Sequence, residues 1–94
     1  MRPWLLAPGP EDALTSLADA LDAGLPAESA LAVAGVEHAA PPGTPIHEAL
    51  AAAWADLSPT ERMVLRAAEQ GGALAPALRR LAEDRRTQRV RRRA

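Results

Sequence analysis

Residues 44–57 read TPIHEALAAAWADL, and this stretch indicates the fold more clearly than any other part of the chain. Thr44 is suited to cap a helix and Pro45 to occupy its first position. Apolar residues then recur at intervals of three and four. They are Ile46, Ala49, Leu50, Ala53, Trp54 and Leu57. This spacing predicts an amphipathic helix with one face in a hydrophobic core.

The segment that follows predicts a helix that starts at a capping box. Ser58-Pro59-Thr60-Glu61 has a serine three residues before a glutamate, with proline at the first helical position. The predicted helix spans residues 59–70 and ends at Gly71-Gly72. Its predicted buried residues are Met63, Val64, Ala67 and Ala68.

Two helices are predicted before this pair. The first spans about residues 11–23 and stops at Gly24, and the second begins at Pro26 and ends near residues 35–38. Residues 1–10 contain three prolines and a glycine, so they are predicted to form an irregular arm.

A fifth helix is predicted from about residue 73 to about residue 89, with its core contacts ending near Ala82. The apolar faces of the five helices together predict a hydrophobic core. The large residues predicted in it are Leu14, Leu17, Leu21, Leu31, Leu50, Trp54, Val64, Leu74, Leu78 and Leu81.

Length and composition agree with a single all-α domain. The chain has 94 residues, among them 23 alanines and 13 leucines, whereas Val, Ile, Thr and Trp total only 11 and Phe and Tyr are absent. We therefore expect a small bundle of about five short helices. The absence of cysteine excludes a disulfide framework, a thiol nucleophile and a Cys-ligated zinc site.

No residue pattern predicts an enzyme. His38 and His47 lie at predicted helix ends, and His47-Glu48 is not a metal-ligand pair, because adjacent helical residues point about 100° apart. No glycine motif follows a strand to hold a phosphate. We expect no catalytic residue, metal or cofactor, and we also expect neither a signal peptide nor a membrane helix within the sequence.

The charge is divided between two parts of the chain. Residues 1–78 carry three arginines against ten acidic residues, a net charge of −7, and residues 79–94 carry eight arginines against two, a net charge of +6. Within residues 85–94 no acid interrupts the basic residues. They are Arg85, Arg86, Arg89, Arg91, Arg92 and Arg93. Such a tail is typical of a solvated end, a nucleic-acid arm or a segment that meets anionic lipid before a membrane helix.

Glu69 requires a partner, because a carboxylate in the last turn of a helix opposes the helix dipole. We expect an ion pair with Arg66 or with the fifth helix, and a binding role is the alternative. Trp54 is expected in the core, with a contact surface as its alternative.

Three segments follow a known family pattern in the right order. The run from Leu14 to Pro26, with Ala30-Leu31 after it, matches an L-x-x-L-A-x-x-L-x-A-G-L-P helix and turn that leads to an A-L pair. Residues 45–50 (PIHEAL) match an s-l-x-e-A-L segment, and residues 68–74 (AEQGGAL) match a G-E-x-S-G-x-L signature. Over residues 12–86 the chain therefore resembles the type II secretion system F domain family.

The resemblance implies a non-enzymatic domain of an inner-membrane platform protein in a bacterial type II secretion or type IV pilus-like machine. It implies a helical domain over residues 11–84 on the cytoplasmic face, and a juxtamembrane tail over residues 85–94 that meets anionic lipid. The implied partners are the assembly ATPase and other platform components, and a homodimer is allowed. The signature positions it marks are Gly24, Pro26, Glu69, Gly71 and Gly72.

The chain departs from the family pattern in two places. Residues 36–44 form a short Pro-rich loop where members have another charged helix, so we expect the family fold with one helix missing. Ala68 and Gly71 stand where Gly and Ser are usual, which alters the hydrogen bonding expected at that turn.

A second resemblance covers less of the chain. Residues 57–65 (LSPTERMVL) are similar to the L-T-P-R-E-x-x-V-L opening of the LuxR-type helix-turn-helix domain. The alternative function is therefore a DNA-binding module centred on residues 57–90. A recognition helix needs a preceding turn and apolar anchors, but residues 82–88 contain no Gly or Pro and have Glu83 and Gln88 at the anchor positions. We expect no sequence-specific nucleic-acid binding.

Overall fold

A computed structural model describes residues 10–36 and 38–93, with side chains described for residues 11–36 and 38–91. This part of the chain forms five α-helices and no strand, which confirms the predicted small all-α bundle. The helices are α1 (Pro10–Asp22), α2 (Ala27–Val33), α3 (Ile46–Ala53), α4 (Pro59–Gln70) and α5 (Leu74–Arg93). The predicted N-terminal arm lies outside the described residues except for Pro10, which begins α1.

The core forms where α1 packs against α5. Further contacts join α1 to α2, α4 to α5, and α3 to α4. Several leucines are completely buried at the centre, and α1, α3, α4 and α5 each contribute at least one. They are Leu14, Leu17, Leu50, Leu65 and Leu78. The leucine-rich faces therefore meet in one core.

Most of the predicted core residues are buried, but most of those predicted on α4 are not. Leu14, Leu17, Leu31, Leu50, Leu74, Leu78 and Leu81 are buried as predicted. Leu21 and Trp54 are partly buried and pack against the core. The predictions for Met63, Val64 and Ala67 on α4 were wrong: all three are exposed, with exposed fractions of 71% for Met63 and 53% for Val64.

The rotation of α4 explains this difference. The inward stripe of α4 contains Glu61, Leu65, Ala68 and Glu69, of which Leu65 is only 1% exposed. Sequence analysis selected the more apolar stripe instead. The acidic stripe faces inward because both of its carboxylates accept hydrogen bonds from other helices, Glu69 from the start of α3 and Glu61 from Arg85 of α5.

Three helix ends differ from the predictions. α2 ends at Val33 rather than near residues 35–38. α3 ends at Ala53, because Trp54 has extended backbone angles (φ −124°, ψ 102°), although Leu57 beyond it is still buried. α5 continues to Arg93 rather than ending near residue 89. Its last two turns consist of arginine and other residues that permit a helix, without Gly or Pro.

The rotation of α4 makes a direct stability prediction. Leu65→Ala should lower the free energy of unfolding by about 2–5 kcal/mol, because it removes a buried side chain and leaves a cavity. Val64→Ala, on the adjacent exposed position, should change it by less than about 0.5 kcal/mol. Urea denaturation followed by circular dichroism measures both. A larger loss for Val64→Ala than for Leu65→Ala would contradict this orientation of α4.

Candidate functional site

The carboxylate of Glu69 caps a different helix from its own. α3 begins after Pro45, whose side chain makes no capping hydrogen bond. Glu69, in the last turn of α4, accepts hydrogen bonds from the backbone N–H of Ile46 to Oε2 and from that of His47 to Oε1, both at 2.9 Å. Two N–H groups that the start of a helix leaves unpaired are thereby satisfied.

The side chain of His47 adds a third contact. Its Nδ1 atom lies 2.6 Å from Glu69 Oε1. Burial raises the pKa of Glu69, but the hydrogen bonds from the backbone and side chain of His47 and from the backbone of Ile46 outweigh burial, so the pKa is lowered overall. Glu69 therefore pairs with the start of α3, and the expected pairing with Arg66 or with the fifth helix was wrong.

The signature glycines Gly24 and Gly72 end α1 and α4 with the same hydrogen-bond pattern. Both have positive φ angles, +87° and +75°. After α4, the N–H of Ala73 donates to the carbonyl of Ala68 at 2.8 Å and that of Gly72 donates to Glu69 at 3.3 Å. The equivalent bonds close the end of α1. Both turns are Schellman motifs, and glycine is the residue that adopts their left-handed position without strain.

The other two signature residues have local roles. Gly71 is the C-cap of α4, where an added Cβ would lie 3.3 Å from the carbonyl oxygen of Ala67. Pro26 is the N-cap of α2 and accepts a backbone hydrogen bond from Ala30 at 2.9 Å. The signature positions thus belong to two helix-helix turns rather than to one pocket.

The first arginine of the predicted tail belongs to the folded domain. Arg85 is 15% exposed, and its guanidinium contacts Asp56 at 2.9 Å and Glu61 at 3.1 Å. Glu61 also completes the predicted capping box, in which its carboxylate accepts from Ser58 N at 2.8 Å and its N–H donates to Ser58 Oγ at 3.1 Å. The hydrogen bond from Arg85 lowers the pKa of Asp56. The start of α4 and the end of α5 are therefore joined by one charged network.

Two more arginines of the tail also contact the body of the domain. Arg86 donates to Thr15 Oγ1 at 3.3 Å and lies 3.7 Å from Glu83. Arg89 forms an ion pair with Glu11, whose side chain is only 9% exposed. These contacts hold residues 86–89 of α5 against the first turns of α1.

The remaining arginines of the tail extend further along α5. Arg91 is exposed and forms no ion pair within the described part of the chain. Arg92 and Arg93 belong to α5, but their side chains lie outside the described residues. The structure therefore distinguishes an inner group, Arg85, Arg86 and Arg89, whose side chains contact the domain, from a distal group, Arg91, Arg92 and Arg93, of which only the exposed side chain of Arg91 is described.

Sequence analysis missed an exposed surface on α4. Met63 lies beside a groove of about 730 Å³ between α3 and α4, and Arg62 and Arg66 line the same groove. Val64 lines a second cleft of about 660 Å³ between α4 and α5. One signal in the sequence could have revealed this surface. Glu61 and Glu69 are eight residues apart and therefore lie on the same side of the helix, where both need hydrogen-bond donors. If that side faces the protein, Met63 and Val64 are exposed.

Among the described residues no three His, Asp or Glu side chains are grouped as metal ligands would be. No helix in the same part of the chain is long and apolar enough to cross a membrane. Comparison with protein-family models, curated proteins and solved structures finds no match.

The Glu69 cap predicts a stability effect and its pH dependence. Because the pKa of Glu69 is lowered by folding, its carboxylate stabilises the native state above the unfolded pKa of 4.5, and this contribution is lost as pH falls through the lower folded value. Glu69→Gln should reduce stability at pH 7 by about 1 kcal/mol. Urea titrations from pH 7 to pH 3 should show the difference from the unchanged protein disappearing in acid.

A substitution of the next residue, at the same end of α4, provides the control for Glu69→Gln. Gln70→Ala alters an exposed neighbour whose side chain forms no hydrogen bond with α3 among the described residues, so it should leave the pH dependence unchanged. A constant difference between Glu69→Gln and the unchanged protein across the pH range would contradict the cap.

Because Arg85 lies in a charged network, we expect the arginines of the tail to contribute unequally to the free energy of unfolding. Arg85→Gln should lower the free energy of unfolding by about 1–2 kcal/mol, because it removes hydrogen bonds to two carboxylates. Arg91→Gln should have almost no effect. Thermal denaturation at low and high salt measures both, and equal losses would show that Arg85 makes no special contribution.

Proposed function

We propose that this chain is a non-enzymatic interaction domain on the cytoplasmic face of a bacterial inner membrane. In this proposal it belongs to a platform protein of a type II secretion or type IV pilus-like machine and connects the assembly ATPase to the other platform components. The resemblance to the F domain family supports the proposal, and so does the course of α5.

The observation that carries the proposal is the extension of α5 beyond the core. Ala82 is the last buried residue among the described side chains of α5, but the helix continues for 11 residues to Arg93. At 1.5 Å per residue this extension is about 16 Å long. Within the predicted tail, the inner arginines contact acids or Thr15, whereas Arg91 is exposed and forms no ion pair among the described residues. We therefore propose that the distal group is the part of the tail that meets an external anion.

A basic helix end of this kind suits a membrane approach. Positively charged residues beside a membrane segment mark its cytoplasmic side, and anionic lipid attracts each of them with about 1 kcal/mol. The body over residues 1–78, with a net charge of −7, would then face away from the lipid. We propose that it faces a basic surface of the motor ATPase.

The alternative DNA-binding function receives less support from the geometry. α5 is continuous from Leu74 to Arg93, so no turn separates a scaffold helix from a recognition helix in this region. Arg85 and Arg89, which lie on this helix, are already paired with acids. The arrangement supports an interaction domain better than a reader of base sequence.

Co-sedimentation with liposomes tests the proposed membrane approach. Replacing Arg91, Arg92 and Arg93 by Gln should weaken binding to anionic vesicles roughly a hundredfold, since each arginine contributes about 1 kcal/mol. The matched control replaces Arg62, Arg66 and Arg80 by Gln, which removes the same charge elsewhere and should have little effect. Binding should also decrease in high salt.

Three results would contradict the proposal. They are no binding of the unchanged chain to anionic vesicles, equal binding to neutral vesicles, and equal losses for the two triple variants. In a separate selection from random DNA, recovery of one preferred sequence would instead favour the helix-turn-helix function.

A further inference from the structure

One groove of the domain contains both arginines of its acidic part. Residues 10–78 include ten acidic side chains but only two arginines and no lysine. The arginines, Arg62 and Arg66, are exposed and line the groove of about 730 Å³ between α3 and α4. The groove therefore presents two positive charges in a part of the chain whose other charged residues are acidic.

These two positive charges are not neutralised by the domain. Neither arginine forms an ion pair among the described side chains. Of the acids on the same helix, Glu61 contacts Ser58 and Arg85, and Glu69 caps α3. The arginines are four residues apart, and like charges at this spacing destabilise a helix. A carboxylate bound between them would remove that cost.

The groove also offers an apolar contact beside the charges. Met63 lies next to the arginines and is 71% exposed, and Ala51 belongs to the α3 side of the groove. Gln70 continues the row of Arg62 and Arg66 at the same four-residue spacing, so the polar row is about 12 Å long. A methionine side chain adapts to apolar groups of different shape. Charge and apolar contact thus lie side by side, as in grooves that bind peptides.

We infer that this groove binds a short acidic segment of a partner protein, which carries two carboxylates one helical turn apart and an apolar side chain beside them. The carboxylates pair with Arg62 and Arg66, and the apolar side chain packs on Met63. Guanidinium and carboxylate groups match in geometry as well as in charge, because they form paired hydrogen bonds. The inference uses neither the tail nor the acidic surface of the body, so it goes beyond the proposed function and does not rest on it.

A short segment suits the groove better than an extended polyanion. Nucleic acids and anionic membranes present continuous negative charge, which the net charge of −7 on residues 1–78 repels. Glu48 lines the same groove, is exposed and forms no ion pair among the described side chains. A segment with only two carboxylates neutralises the arginines and brings little further charge towards this glutamate.

Titration of the isotope-labelled 94-residue chain with synthetic helical peptides, followed by NMR, tests the inference. One alanine-based peptide carries two Glu residues one turn apart with a Leu beside them, and its control has Gln in place of both Glu residues. The Glu peptide should shift the amide signals of the groove and bind with a Kd below about 1 mM at low salt. The Gln peptide should bind about tenfold more weakly, and high salt should weaken binding of the Glu peptide.

Three single substitutions locate the contact. Arg66→Gln should weaken binding of the Glu peptide about fivefold, because it removes a charged hydrogen bond. Arg80→Gln removes the same charge from an exposed position outside the groove and should leave binding unchanged. Glu48→Gln should strengthen binding about twofold, since it removes a repulsive charge. Circular dichroism checks that each variant is folded.

Four results would overturn the inference. They are the absence of any shift with the Glu peptide up to about 1 mM, equal binding of the two peptides, equal losses for Arg66→Gln and Arg80→Gln, and shifts confined to another surface. Two further results would assign the groove to a different occupant. Groove shifts that appear when the chain is concentrated without peptide would indicate a second copy, and a loss of vesicle binding with Arg66→Gln would indicate lipid.

Discussion

The hydrogen bonds from the first turn of α3 to Glu69 fix how α3 and α4 are oriented relative to each other. This orientation determines which side chains of α4 are exposed. α3 is short and starts after a proline that supplies no capping side chain, so its first N–H groups need an acceptor from elsewhere. Glu69 supplies it from the end of α4, where its charge opposes its own helix dipole but complements that of α3. One carboxylate therefore resolves an electrostatic conflict in each of two helices and holds them in a fixed orientation.

The orientation of α4 then determines what the domain exposes. With Glu69 directed to α3 and Glu61 directed to Ser58 and Arg85, the stripe that contains both acids must face the rest of the protein. Leu65 lies on that stripe and enters the core, whereas Met63 and Val64 point to solvent. The exposed apolar surface of α4 is thus a consequence of satisfying buried polar groups, and not of weak packing.

Sequence reasoning was reliable for most local signals, although the cap expected at Thr44 was wrong, because Pro45 is the N-cap of α3 and the Thr44 hydroxyl donates to the carbonyl of Pro41 at 2.7 Å. The capping box at Ser58, the glycine stops at Gly24 and Gly72, and most of the leucine core depend on residues close together in the chain or on strong apolar periodicity. It failed for the buried face of α4 and for the partner of Glu69, because both depend on a donor group 22 or 23 residues away. Periodicity ranks stripes by hydrophobicity, and it does not include the free energy gained when a distant amide satisfies a carboxylate.

The same reasoning applies to the basic end of the chain, which composition presents as one uniform block. In the structure, the arginines of α5 have different roles at different distances from the core. Near the core, Arg85 and Arg89 neutralise acids on α1, α4 and the turn before α4, and this keeps α5 helical and attached beyond its last buried residue. Further out, Arg91 is exposed and forms no ion pair among the described residues, so its charge is not neutralised there. A count of charges in the sequence cannot distinguish these roles. They depend on which acidic side chains the fold places close to each turn of α5.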